Sequence, residues 1–502
     1  MARGTTLIGV SSLEHAEQTS PDHPARHPSK ANLHDLVDVA IDCKMPVGDA
    51  VVRVPGMEQD IAAISTFANA FALNSLVIHT VALLTERGIE PPVWRSGNAP
   101  VATNRTRGLS IGFAAGSGRC EPACGILRAR SRHRSDETVR VADGWISAIS
   151  DAPEQEGAPW LSPGLVDLQV NGFAGLDLND GALTVSTVVA LCHRLADEAV
   201  TRFLPTVVSA SEPRLIQSLK TLAKAVETNA LAARMIAGIH VEGPFISVED
   251  GPRGAHPAAD VRAADNAEIR RWQEAAGGLV RIVTLAAESP GACDAICGAV
   301  SEGIRIALGH SAATPAQITA AVDAGATLST HLGNGIATML PRHPNAIWTQ
   351  LAEDRLTATF ICDGHHLPFD AARAMIRAKG IGRAVLVSDS VALAGMPAGQ
   401  YDTALGGAVE VSPEGRISLA GTSFLAGAGH PLRVMVARAA NNAGVTLAQA
   451  LTMASTDAAA AADLPPCLEV AARADLIHFD WAPGDDTLTL PDVIIEGERK
   501  AS

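Results

Sequence analysis

The chain has 502 residues, 47% hydrophobic and 19% charged, with a net charge of −15. That is apolar material for a large core and for two or three domains. The acidic balance argues against a nucleic-acid or anionic-membrane partner, while leaving room for a local cationic pocket. Eight cysteines are scattered without any Cys-x-x-Cys, which fits a reducing cytoplasm better than a disulfide scaffold. The opening MARGTTLIGVSS has no charged-then-apolar signal layout.

Taken in chain order, the first long apolar run is Ile61 to Leu84. It is long enough to span a bilayer. It also carries Asn69, Asn74 and His79, so a buried helix of a soluble domain is expected. Between about 95 and 125 the text turns rich in Gly, Pro, Asn and Ser, the composition of a linker. Glu137 to Ser150 reads as a hairpin around Asp143-Gly144. Matching β-rich text near the C-terminus, ADLIHFDW and DTLTLPDVIIEGE, predicts a small sheet domain built from both flanks. Cys120 with Cys124, and Cys293 with Cys297, are spaced as neighbours on a helix face.

The middle of the chain alternates. Strands are expected at Leu165–Val170, Arg202–Val208, Met235–Val241, Val280–Ala286, Ile304–Leu308, Thr327–Thr330, Leu356–Ile361 and Ala384–Val387, with Ala-rich helical stretches such as PAQITAAVDAGA between them. Eight such repeats predict an α/β fold of the (β/α)8 barrel type, whose chemistry gathers at the C-terminal ends of the strands. Those ends carry Gln169 and Asn171, then Thr206, Glu242, Glu288, His310, His331, Asp363 and Asp389.

Glu242, His310 and His331 supply one carboxylate and two imidazoles, the three-ligand set of a catalytic zinc site with a position open for water. Asp389 ends the last strand and is the candidate general base. His256, His365, His366 and Arg342 lie in loops that a barrel places near its mouth, and an arginine can grip phosphate bidentately. Gln169 and Asn171 sit two apart on one strand face, yet carboxamides neither act as bases nor ligate metals well.

The motifs PGLVDLQVNGFAGLDLND, GIHVEGPFI, RGAHP, ALGHSAAT, THLGNGI, DGHHLP, VSDSVALAG and LAGTSFLAG are long and ordered. Through them, residues 126 to 500 resemble N-acetylglucosamine-6-phosphate deacetylases of the amidohydrolase superfamily. The resemblance implies a barrel over 163–472 and a small β-sandwich from 126–162 and 473–502. It implies hydrolysis of N-acetyl-D-glucosamine 6-phosphate to D-glucosamine 6-phosphate and acetate. Glu242, His310 and His331 would hold one divalent ion, zinc, with Asp389 as acid and base. His256 would polarise the acetamide or contact the sugar. Asn334, Gly335, His366 and Arg342 would hold the phosphate, the arginine reaching across a homodimer. Many amidohydrolases carry His-x-His where Gln169 and Asn171 stand, so these two are expected to hydrogen-bond rather than ligate. The galactosamine epimer, another amidohydrolase reaction, and a non-enzymatic sugar-phosphate sensor stay open as alternatives.

Residues 1–105, through LIGVSSLEHAEQTSPDHPARHPSKANLHDLVDVAIDCKMPVGDAVV and PPVWRSGN, resemble the C-terminal half of a sugar isomerase (SIS) domain. They are expected to form a partial α/β fragment, with 106–125 as linker.

Overall fold

The computed structural model describes residues 159–499 apart from 404–406 and 423, residues 125–129 and 136–152, and short pieces before them: 8–11, 18, 32, 35–37, 39–42, 50–52 and 61–63. The chain separates into two compact units, Met1–Gly118 and Arg119–Ser502.

In the first unit Ile8–Ser11 pairs in parallel with Val39–Asp42, and Ala50–Val52 pairs antiparallel with Ile61–Ala63. The expected helix from Ile61 therefore begins as a strand, because its first three residues hydrogen-bond to Ala50–Val52. The rest of that segment, Cys120, Cys124 and the linker up to residue 124 lie outside the described residues. None of the described helices is long and apolar enough to cross a membrane.

The second unit is built on eight parallel strands paired in chain order: Leu165–Val170, Val200–Val208, Ile239–Glu242, Val280–Leu285, Arg305–Leu308, Leu328–Ser329, Thr357–Phe360 and Ala384–Leu386. They are numbered 1 to 8 below. A bridge between Val170 and Ser390 joins strand 8 back to strand 1. At least one helix follows each strand, as a right-handed βα alternation requires. Strand 1 is buried along its whole length, the polar Asp167 and Gln169 included.

Local chemistry sets the boundaries. Pro315–Asp323 starts at a capping box, with the Thr314 hydroxyl on the Gln317 amide and the Gln317 side chain returning to the Thr314 amide. Met235, expected to open strand 3, instead closes the helix Ala230–Met235. Asn229 caps that helix, and Gly238, at φ +148°, turns the chain into the strand. Cys293 and Cys297 are both exposed on the helix Ala292–Ser301, four residues apart as expected.

Two antiparallel sheets flank the barrel. One holds Gly125–Ala129, Asp136–Ala142 and Trp145–Ala152. The other holds Trp160–Pro163, Leu476–Asp480, Thr489–Ile495 and Glu498–Arg499. Val139, Val141, Ile146, Leu161, Leu476 and Ile494 form their common core, so both flanks of the chain contribute to it.

A third sheet was not foreseen. Gly399–Thr403, Gly407–Val411 and Ile417–Leu419 pair antiparallel in the connection after strand 8. Its outer residues are exposed and its small core is Val409, Val411 and Ile417. The signal was present in alternation around the Ser412-Pro413-Glu414-Gly415 turn, but it is short and polar beside the barrel repeats.

Candidate active site

At the mouth of the barrel, strands 3, 5 and 6 bring three ligand atoms together. Glu242 Oε1 lies 3.1 Å from His310 Nε2 and 3.0 Å from His331 Nε2, and the two Nε2 atoms are 3.2 Å apart. All three residues are buried. His310 Nδ1 donates to the Pro252 carbonyl at 2.9 Å. A carbonyl only accepts, so that proton sits on Nδ1 and Nε2 turns a lone pair inward. The facing atoms are a carboxylate oxygen and another imidazole nitrogen. Electron-rich atoms this close repel unless something positive lies between them. A tetrahedral zinc with bonds of 2.0–2.1 Å spaces its donors by about 3.3 Å, close to the observed triangle. The donor set therefore fits a divalent cation. Burial alone would raise the Glu242 pKa. The two imidazoles that face it outweigh burial and hold this carboxyl well below the usual range.

The backbone shows where this arrangement is forced. His310 and Asp389 have φ of 49° and His331 has φ of 27°. Left-handed backbone at non-glycine residues costs on the order of 1–3 kcal/mol each and gathers at functional sites. Glycines make the fit possible on the other side. A Cβ on Gly335 would stand 2.8 Å from His310 Nδ1, and one on Gly254 would stand 3.3 Å from its Cε1.

The carboxamides of strand 1 each serve one acid. Gln169 Nε2 donates to both oxygens of Glu242 at 3.0 Å, and Asn171 Nδ2 donates to Asp389 Oδ1 at 2.8 Å. Gln169 thus stands behind the donor triangle and Asn171 beside the acid. Asp389 lines the cavity with Glu242, His310 and His331. Burial, and next the charge of Glu242, push its carboxyl up to about 6 against the opposing pull of His331, His366 and Asn171.

His256 also faces this centre. One ligand atom each from Glu242, His256 and His310 lies within 4.8 Å of the others, so the mouth offers four donors rather than three. The closer triangle includes His331, while His256 Nδ1 is engaged by Ser209 Oγ at 2.8 Å. Burial, then the charge of His310, lowers the His256 pKa to about 3, so it is neutral.

The cavity above these groups measures about 320 Å³ and is also lined by Asn334, Gly335 and His366. His366 Nδ1 contacts Asp363 Oδ2 at 2.7 Å, and Asp363 Oδ1 accepts from the amides of His365 and His366. Burial opposes ionisation of Asp363, but His366 holds it at about 2. Asp363 was visible at a strand end, and the structure makes it the group that orients His366. Arg342 is exposed in its loop, outside the cavity lining, with no hydrogen bond or ion pair among the described residues. Ser209, Pro252 and Asn179 were not anticipated. Asn179 ties the Thr206 carbonyl to the Val208 amide. Only contact with residues already singled out identifies them. The third sheet adds Thr403, Val409 and Leu419 to the cavity wall.

No protein-family model matches the chain. Whole-protein comparisons do. It is 34% identical over 300 residues to the N-acetylglucosamine-6-phosphate deacetylase of Bacillus subtilis (strain 168), covering 58% of this chain and 74% of that one. It is 34% identical over 338 residues to the N-acetylgalactosamine-6-phosphate deacetylase of Escherichia coli O157:H7, covering 66% and 87%. A structure of N-acetyl-D-glucosamine-6-phosphate deacetylase from Mycobacterium smegmatis, a mutant in complex with N-acetyl-D-glucosamine-6-phosphate, superimposes with a TM-score of 0.66 at 30% identity. That match covers 72% of this chain and 94% of the other. With the donor triangle seated at the mouth of a (β/α)8 barrel, these likenesses show that the chain belongs to the N-acetylglucosamine-6-phosphate deacetylase family of the amidohydrolase superfamily.

Proposed function

We propose that this chain hydrolyses the N-acetyl group of N-acetyl-D-glucosamine 6-phosphate, giving D-glucosamine 6-phosphate and acetate. The observation that carries the reading is the triangle of Glu242 Oε1, His310 Nε2 and His331 Nε2 with the Asp389 carboxylate at the same mouth. Glu242, His310 and His331 would hold one divalent cation, zinc by the donor set, which supplies Lewis-acid chemistry of the kind that brings the pKa of water towards neutrality. Asp389 takes the proton of the attacking water and returns it to the leaving nitrogen. Asn171 keeps the Asp389 carboxylate turned to the cavity, and Gln169 does the same for Glu242. His256, neutral and held by Ser209, donates to the acetamide oxygen or a sugar hydroxyl. His366, Asn334 and the Gly335 amide grip the phosphate. Arg342 is exposed enough to reach the site of a second subunit, as a homodimer would require.

The decisive experiment is Asp389→Asn. Turnover should fall by about 10²–10⁴-fold, the usual worth of a positioned acid–base group, with bound metal unchanged. Near-normal turnover would remove Asp389 from the role. The E. coli relative names a second substrate, the galactosamine epimer. Acetate release from both epimers, measured side by side, decides between them.

A further inference from the structure

A second cavity, of about 310 Å³, lies at the opposite end of the barrel. Arg202 near the start of strand 2 and Arg281 near the start of strand 4 both line it. Six residue steps of strand lead from Arg202 to Val208 at the mouth end, roughly 20 Å by strand rise. Arg234 and Arg473 also line it, making four arginines, together with Trp145.

The charges in this cavity do not cancel. Arg234 is paired with Glu496, and Arg473 with Asp475. Arg202 and Arg281 have no carboxylate partner among the described residues. Glu469, the remaining acid of the lining, is exposed and makes no ion pair with a described residue. Arg202 is only 8% exposed. Its Nη1 donates to the Pro465 carbonyl at 2.9 Å and its Nη2 to Cys467 Sγ at 2.7 Å, while its Nε is buried without a partner. A guanidinium does not shed its proton in a protein. A buried cation with neither counter-ion nor full hydrogen bonding is strongly unfavourable. Arg281 is held at the cavity by a glycine. A Cβ on Gly238 would stand 2.6 Å from Arg281 Cβ, so only a residue without a side chain leaves this path open.

We infer that this cavity is a second anion site, distinct from the mouth, and that it takes a small phosphate monoester. Arg281 offers a guanidinium fork with no partner among the described residues, and Arg202 adds a charge that no described carboxylate balances; together they suit a dianion that accepts bidentate bonds. The cavity is larger than a bare ion needs, and Trp145, 48% exposed, presents a flat surface to the organic part. The site stands independently of the catalytic reading, since none of its residues takes part in that chemistry.

Calorimetry on the full chain tests it, with inorganic phosphate and glucose 6-phosphate as probes, neither bearing an acetamide. The parent protein should show two binding events with glucose 6-phosphate. In Arg281→Glu one event should weaken at least tenfold while kcat/KM for deacetylation is unchanged, which also shows that the variant is folded. In His366→Ala, which alters the mouth, that same event should persist. Should Arg281→Glu lose turnover, Arg281→Gln carries the same comparison with less change of shape. Binding in the folded Arg281 variant identical to the parent overturns the proposal. So does a single event in the parent that disappears in His366→Ala.

Discussion

Strand 5 contrasts the two ends of the barrel within a few residues. At its start Arg305 forms a two-pronged ion pair with Asp463, whose side chain is 55% exposed. Just beyond its end, His310 is buried, left-handed, and turned towards a second imidazole and a carboxylate. At the base, opposite charges meet in water, where pairing contributes little and costs little. At the mouth, electron-rich atoms are pressed together on unfavourable backbone, and His331 Nδ1 is buried without a partner among the described residues. A fold tolerates such a concentration only if another species completes it. Left-handed backbone alone does not separate the ends, since Asp463 at the base has φ of 51°; the crowding of electron-rich atoms does, and without reference to the motifs.

The strongest way to break this contrast is to remove the carboxylate corner of the triangle. Changing a group that merely supports a metal ligand typically costs 10–100-fold in affinity or activity, so Glu242→Gln, which removes a proposed ligand, should cost at least about 10²-fold in metal affinity. Metal analysis of the purified variant should find far less than one equivalent, and turnover should fall with it. A variant that keeps a full equivalent would show that the three atoms do not share an ion.

A finer test uses pH. The Asp389 carboxyl is pushed up to about 6, first by burial and then by Glu242. The base must be ionised to accept a proton, so kcat should fall as pH drops through that value. A cation on the neighbouring donors favours the ionised form, so in the metal-loaded enzyme the acid limb should lie at or below about 6. Asn171→Leu removes a hydrogen bond that lowers this pKa. Its acid limb should therefore move to higher pH, with a rate loss smaller than that of Asp389→Asn. An unmoved limb would assign the profile to another group.

Much of this was legible before any coordinates. The eight strands announce themselves because a parallel strand buried on both faces is rich in Val, Ile and Leu, and short runs of these recur between helical stretches. The donors announce themselves because barrel chemistry sits at strand ends. The strand 1 carboxamides were expected to hydrogen-bond, and they do, but no spacing rule says that Gln169 serves Glu242 while Asn171 serves Asp389. That pairing depends on barrel closure between strands 8 and 1. The 399–419 sheet escaped because exposed alternating residues look like loop. Ser209 and Pro252 escaped because a hydroxyl and a main-chain carbonyl leave no signature. The base cavity escaped for a similar reason, since Arg202 and Arg281 are 79 residues apart and meet only when strands 2 and 4 are in place.

The smallest effect belongs to the base. Arg305→Ala removes the pair with Asp463 and a longer contact to Thr327 at 3.4 Å. Pairs open to solvent contribute about 0.2–1 kcal/mol, so the unfolding free energy should drop by no more than that, and high salt should shrink the difference further. His310 is reached from Arg305 along the same strand, so this variant also asks whether the two ends are mechanically joined. If the mouth is held by its own contacts, with Gly335 and Gly254 against the ring and Pro252 on Nδ1, kcat and bound metal should match the parent. A loss of turnover larger than the loss of stability would mean that the strand transmits strain from base to mouth. The separation between a quiet end and a working end would then be wrong for strand 5.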